Sequence, residues 1–75
     1  MWWLKLKVSE AKLPEIVNII RKRFFLPAIH TIEKEREEYS DYIVTFSTTS
    51  TLEEILQILR EEDLFYYLIA IERGA

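Results

Sequence analysis

Hydrophobic residues along this chain follow two spacings in turn, every second position and then every third or fourth, and the order of these segments limits its fold most. Residues 2–8 show the first spacing, with Leu4, Leu6 and Val8 separated by lysines. A period of two is typical of a strand with one buried face. We therefore predict that the chain opens with a strand, followed by a connection over residues 9–13.

A helix is predicted next. Ile16, Ile20 and Phe24 fall on one helical face. Pro14 suits the first turn, where a missing backbone N–H costs nothing. Pro27 cannot continue a helix, so we expect the helix to end before it.

The middle of the chain is predicted to form a hairpin. Residues 28–37 begin with β-branched side chains, residues 42–47 alternate, and residues 38–41 are the predicted turn. The charged stretch over residues 33–38 has a second interpretation as a helical extension. A strand is favoured there because the stretch lacks apolar residues at helical spacing.

A second helix and a last strand follow. Thr51 and Glu54 match a capping box, in which each side chain bonds the other residue's backbone N–H. Leu52, Ile55 and Leu59 then keep helical spacing, and the helix is expected to end near residue 62. Residues 65–72 alternate again and predict a strand.

The order β-α-β-β-α-β predicts a single domain over residues 1–75, of the α+β class. This order closes as a ferredoxin-like fold, a four-stranded antiparallel sheet with two helices on one face. Right-handed crossovers place the first and third strands at its centre.

The small size of the chain favours self-association. A chain of 75 residues without cysteine buries about 60% of its unfolded surface and has no disulfide to help. It needs a dense apolar core, self-association or both. The 49% hydrophobic content meets that need.

Several classes of protein are excluded by composition. Without cysteine there is no disulfide scaffold, thiolate zinc site or cysteine nucleophile, and a cytoplasmic location is expected. The longest apolar run, residues 64–71, is too short to span a bilayer, and residues 1–7 lack a signal-peptide pattern, so no membrane partner is expected. The scarcity of Asn and Gln is typical of thermophile proteins.

The sheet face without helices is predicted to be an interface. Alternation places these residues on it: Trp3, Lys5, Lys7, Ile43, Thr45, Tyr66, Leu68 and Ala70. Such a mixture is too apolar for a plain solvated face. Trp3, Lys5, Ile43, Thr45, Tyr66 and Leu68 are the candidate interface residues, and the alternative is scattered surface hydrophobics.

Two polar features are interpreted as non-catalytic. His30 is the single histidine and lacks an identified orienting partner, so a packed or surface position is favoured over a general base. Glu33, Glu35 and Glu37 share one side of the predicted strand, with Glu38 beside them. Their pattern fits a solvated edge that discourages aggregation better than a metal site.

The basic residues offer a nucleic-acid alternative. Lys5, Lys7, Arg21, Lys22 and Arg23 are the candidate contacts, with Trp3 and Tyr66 as stacking platforms. The third strand lacks the Lys/Arg-Gly-Phe/Tyr pattern of RNA-binding sheets, and a pI near 5.1 opposes broad electrostatic binding. Helix-end charges and interface aromatics are therefore favoured.

No catalytic motif was found. Residues 45–51 are rich in Ser and Thr but lack the glycines of a phosphate loop, and they are interpreted as strand end, connector and helix cap. No nucleophile triad, dinucleotide fingerprint or metal-ligand spacing is present. We therefore predict a protein that is not an enzyme and binds no cofactor or metal.

The whole chain resembles the small ACT-type regulatory domains. The resemblance lies in the apolar spacing of residues 5–8, 14–23, 42–46 and 52–59. It implies pairing through sheets or helices and an effector, such as an amino acid, bound at the turn between the first strand and helix. The corresponding positions are Ser9, Ala11 and Leu13, although the glycine usual in that turn is absent.

The leading hypothesis is a small regulatory or protein-interaction module that forms a homodimer or higher homo-oligomer. A larger protein partner is a further expectation. Binding of nucleic acid through the aromatic and basic sheet face is the alternative, and a gel shift with single-stranded nucleic acid at low salt would separate the two.

Overall fold

The computed structural model describes residues 1–74. Its elements are β1 (Trp2–Ser9), α1 (Leu13–Arg23), β2 (Ala28–Lys34), β3 (Asp41–Thr48), α2 (Leu52–Glu61) and β4 (Leu68–Arg73), with 3₁₀ turns at Glu10–Lys12 and Phe65–Tyr67. All strand pairs are antiparallel, in the order β2-β3-β1-β4. The predicted α+β class, antiparallel four-stranded sheet and two helices are confirmed, and β1 and β3 lie at the centre.

Both helices pack against the same face of the sheet. Alternate residues of the central strands, among them Leu4, Leu6 and Phe46, are fully buried. They form one cluster with α1 and α2, in which the ring of Phe24 meets that of Phe46 edge-on at 5.0 Å. The hydrophobic core comprises Leu4, Leu6, Val8, Ile16, Ile20, Phe24, Val44, Phe46, Ile55, Ile58, Leu59 and Leu64.

The hairpin differs from its prediction. β2 ends at Lys34 rather than near residue 37, and β3 already begins at Asp41. The Glu35 N–H donates to the Asp41 carbonyl at 2.9 Å and closes the ladder there. The intervening residues form a turn, in which the Tyr39 N–H donates to the Arg36 carbonyl at 3.1 Å. The predicted turn over residues 38–41 is therefore too short, and the helical alternative does not form.

The last strand also begins later than predicted. Phe65–Tyr67 form a 3₁₀ turn, and β4 starts at Leu68. A register shift between Lys5 and Leu6 accompanies this start, so that Leu68 pairs with Leu6. The predicted strand over residues 65–72 therefore started too early, because its first three residues belong to the 3₁₀ turn.

The end of α2 explains the late start. Asp63 has a positive φ of 56°. The Leu64 N–H donates to the Leu59 carbonyl at 2.8 Å, and the Asp63 N–H donates to the Arg60 carbonyl at 3.3 Å. These two bonds form a Schellman motif, whose hydrophobic contact is supplied here by buried Leu64 and Leu59.

We expect Asp63→Gly to stabilise the protein by about 0.5–1 kcal/mol, because the left-handed conformation costs an L-residue energy that glycine avoids. Urea denaturation would measure the free energy of unfolding. The matched control is Arg60→Gly, which places glycine at an exposed position inside α2. The control should lose stability, and a loss in both variants would contradict the role of the positive φ.

An ion-pair cluster joins the two helices. The Arg23 guanidinium donates to Glu61 Oε1 at 2.7 Å and also to Glu62. The bond from Arg23, and secondarily one from Gln57, holds the pKa of Glu61 below its usual range.

Across residues 1–74, no helix has the length and apolarity needed to cross a bilayer.

Candidate interaction surface

The face of the sheet opposite the helices is called the open face. Cross-strand partners point to the same side of a sheet, and Trp3, Lys5 and Lys7 of β1 pair with Ser47, Thr45 and Ile43 of β3. The strands at the two edges add Ala70 and Glu72 from β4 and Thr31 and Glu33 from β2.

Apolar and charged side chains are interleaved on the open face, because Lys5 lies between Thr45 and Ala70 and Lys7 lies beside Ile43. Trp3, Ile43, Thr45 and Ala70 are half-buried within the sheet, and no helix covers them. The cations Lys5 and Lys7 lie on central β1, whereas the glutamates lie on the edge strands. Lys7 Nζ reaches Glu35 Oε2 at 3.1 Å across the face.

Two predicted interface residues lie elsewhere. Leu68 was expected on the open face, but its pairing with Leu6 places it with the core cluster. Tyr66 was expected within the last strand, but it lies in the 3₁₀ turn before β4 and is 90% exposed. The first difference follows from the register shift of β4 and the second from the 3₁₀ turn before it, and alternation alone revealed neither.

A side-chain cluster at one corner of the open face gives His30 partners. The His30 ring stacks on the Trp3 indole, with centroids 4.2 Å apart and planes at 24°. His30 Nε2 lies 2.8 Å from Ser47 Oγ. Gly74 packs closely against the Trp3 indole. A Cβ at position 74 would lie 2.6 Å from that ring.

This cluster fits a packing role. Ser47 is only 3% exposed, so its hydroxyl offers little access to a substrate. Among the described residues, no carboxylate is hydrogen-bonded to His30. A general base needs both reach and an orienting partner. The prediction that His30 lies on a strand is confirmed. Its partner Ser47 was not predicted, because a bulge in β2 separates the pairings of Ile29 and Thr31.

The three positions implied as an effector site do not share one pocket. Ser9 lines a cleft of about 680 Å³ at the end of the sheet. Ala11 is exposed in the 3₁₀ turn, and Leu13 packs against the core. Of the three positions, only Ser9 therefore lines this cleft.

The candidate nucleic-acid residues are divided between two sides of the molecule. Lys5 and Lys7 lie on the open face, whereas residues 21–23 lie on α1, which packs on the opposite face. Arg23 is held by Glu61 and Glu62. The structure therefore does not gather these cations into one continuous surface.

The glutamates do not assemble a metal site. Glu33 lies on the open face and Glu35 pairs with Lys7. Glu37 and Glu38 lie in the turn beyond β2. Within residues 1–74, no group of three His, Asp or Glu side chains is close enough to hold an ion.

The Ser/Thr segment has a role beyond the capping that was predicted. The capping box of Thr51 and Glu54 is confirmed. In addition, the Thr48 hydroxyl donates to the Phe25 carbonyl at 2.6 Å, and the Phe25 N–H donates to Ser50 Oγ at 2.8 Å. The segment thus fixes the backbone of the loop after α1, a contact that local sequence patterns do not indicate.

The scan against family models found no match, and neither the curated proteins nor the solved structures matched.

Proposed function

We propose that this chain is a non-catalytic interaction module of ferredoxin-like architecture that self-associates through its open face. The observation that carries the proposal is the uncovered pair of central strands. Trp3, Ile43, Thr45 and Ala70 are half-buried there around the two lysines of β1, while both helices pack on the other side. An exposed sheet face that carries apolar side chains and is not covered by its own chain is a candidate interface.

Size supports a second copy as the partner. The monomer exposes 5089 Å² in total, and a stable interface removes about 800 Å² from each partner. A chain of 75 residues has little core, so additional burial on association would contribute strongly to its stability.

The charge pattern supports an interface that matches itself. Lysines occupy the central strand β1, whereas Glu33 and Glu72 occupy the two edges. Two copies stacked face to face with a two-fold axis can offset lysines of one copy against glutamates of the other. A regulatory role, which the ACT resemblance implies, would then act by shifting the population between monomer and assembly.

We expect the double substitution Ile43→Lys and Thr45→Lys to give a monomer of 9.1 kDa, whereas the wild type has at least twice that mass. Two further cations beside Lys5 and Lys7 make the face repel its own copy and replace two of its half-buried uncharged side chains. Light scattering on a size-exclusion column measures the mass, and circular dichroism checks folding.

The matched control adds the same two charges to exposed helical positions, as Asn18→Lys and Gln57→Lys. It should keep the wild-type mass. A wild type that remains monomeric up to millimolar concentration would disprove the proposal, as would a folded open-face variant with unchanged mass.

A further inference from the structure

One row of the open face ends in a histidine on one edge strand and a carboxylate on the other. His30 lies on β2, and its ring contacts Trp3 and Ser47, which are cross-strand partners. Trp3 also pairs with Glu72 of β4. The row therefore crosses the sheet in the order His30, Ser47, Trp3 and Glu72. Both ends of the row are exposed, and neither forms an ion pair among residues 1–74.

The two ends of this row do not meet within one copy. Strands β3 and β1 lie between β2 and β4. Because neighbouring strands are about 4.8 Å apart, the backbones of His30 and Glu72 are separated by about 14 Å. An ionic partner for either side chain must therefore come from a second molecule.

The two lysines of the open face lie beside uncharged residues. Lys5 pairs with Thr45, and Lys7 pairs with Ile43. The lysines are on the β1 side of the middle of the sheet, and their uncharged partners are on the β3 side. A two-fold axis along this middle line exchanges the two sides, so that each lysine of one copy faces an uncharged residue of the other. An axis across the strands would instead lay β1 over β1 and bring the lysines together.

We propose that two copies pair about a two-fold axis that runs along the strands between β1 and β3, with His30 of each copy opposite Glu72 of the other. The inference rests on the open-face association proposed above, and it specifies the geometry and the regulation of that interface. Sheets packed face to face keep their strand directions within about 30° of each other, as this axis requires. The axis also preserves position along the strands, so each row of one copy faces the same row of the other.

The same axis accommodates the remaining charges of the open face. Lys7 of one copy lies over Ile43 of the other and beside its Glu33, which is the next residue along that row. Lys5 lies over Thr45 of the other copy. Lysines therefore face uncharged or acidic partners, and like charges are kept apart.

The contact between His30 and Glu72 makes association depend on pH. Histidine gains its charge between about pH 8 and pH 5, a range in which glutamates are ionised. Protonation of His30 turns each contact into an ion pair, and the two-fold axis gives two such pairs per dimer. Association should therefore strengthen as the pH falls.

Within its own copy, His30 faces the uncharged side chains of Trp3 on β1 and Ser47 on β3. None of the charged residues on the open face is hydrogen-bonded to His30 in the described part of the chain. These charged residues are Lys5, Lys7, Glu33, Glu35, Asp41 and Glu72. The partner that responds to protonation is therefore on the second copy.

Sedimentation equilibrium of the full chain at pH 8 and at pH 5.5 measures this effect. The wild type should dimerise at least about fivefold more tightly at pH 5.5, since two exposed ion pairs are gained. His30→Gln should remove the dependence on pH, because the chain has one histidine and no cysteine. Circular dichroism checks that the variant is folded.

A charge exchange at pH 8 tests which residues meet. His30→Glu sets a carboxylate opposite Glu72 and should weaken dimerisation about fivefold. Adding Glu72→Lys to that variant should restore the wild-type dissociation constant, because opposite charges then face each other. The matched control adds Glu38→Lys, which gives the same net charge from the exposed turn beyond β2, and it should restore nothing.

The outcomes separate this inference from the open-face proposal. A dimer with equal dissociation constants at the two pH values would overturn the inference and leave the open-face proposal standing, and so would a dimer in which Glu72→Lys rescues no better than Glu38→Lys. A wild type that stays monomeric at both pH values up to millimolar concentration would overturn both.

Discussion

Phe46→Ala is expected to cost about 3–5 kcal/mol of unfolding free energy, the usual range for truncating a buried aromatic residue. Phe46 is fully buried on central strand β3 and meets Phe24 edge-on. A domain of 75 residues has about 4–11 kcal/mol in total. The substitution should therefore remove a large share of the total stability, which chemical denaturation measured by circular dichroism would show.

The matched control for this prediction is Phe65→Ala, in which the same atoms are removed from a phenylalanine that is 45% exposed. Its cost should be much smaller, because part of that ring is already in water. Protein concentration must be equal in both measurements, since association adds to apparent stability. Equal losses at the two positions would contradict the assignment of the core.

Thr48→Val is expected to cost about 1–3 kcal/mol, although the two side chains have the same shape. The Thr48 hydroxyl accepts from the Ser50 N–H at 3.1 Å and donates to the Phe25 carbonyl. Thr48 is 1% exposed, so valine leaves the Ser50 N–H without a partner in a dry site. Urea denaturation gives the loss, and faster hydrogen exchange at the Ser50 amide would locate it.

Thr49→Val serves as the control for Thr48→Val. The Thr49 hydroxyl lies 3.3 Å from the same Phe25 carbonyl but is exposed to water. Its removal should therefore change the free energy of unfolding by no more than about 0.5 kcal/mol. A loss as large as that of Thr48→Val would show that the buried hydrogen bonds are not the source of the effect.

Local sequence patterns predicted much of the architecture because they reflect interactions between residues that are close together in the chain. The alternation of Leu4, Leu6 and Val8 shows which side of β1 is buried, since successive side chains of a strand point to opposite faces. The capping box of Thr51 and Glu54 marks the start of α2 for a similar reason, because its bonds span three residues.

Predictions failed where a long-range contact or an unusual backbone decided the outcome. The positive φ of Asp63 ends α2 without a glycine to announce it, and the following turn moves Leu68 to the core side. The hydrogen bonds that hold Phe25 come from residues more than twenty positions away. Such contacts depend on register and packing, which a window along the chain does not contain.

By itself, the sequence determined the element order, the buried sides of β1 and β3 and the absence of cysteine chemistry, because each follows from spacing or composition. Tertiary structure alone decided the partners of His30 and the placement of Leu68 and Tyr66. The physical reason is that strand periodicity is a property of neighbouring residues, whereas bulges, register shifts and surfaces arise only when distant segments pack together.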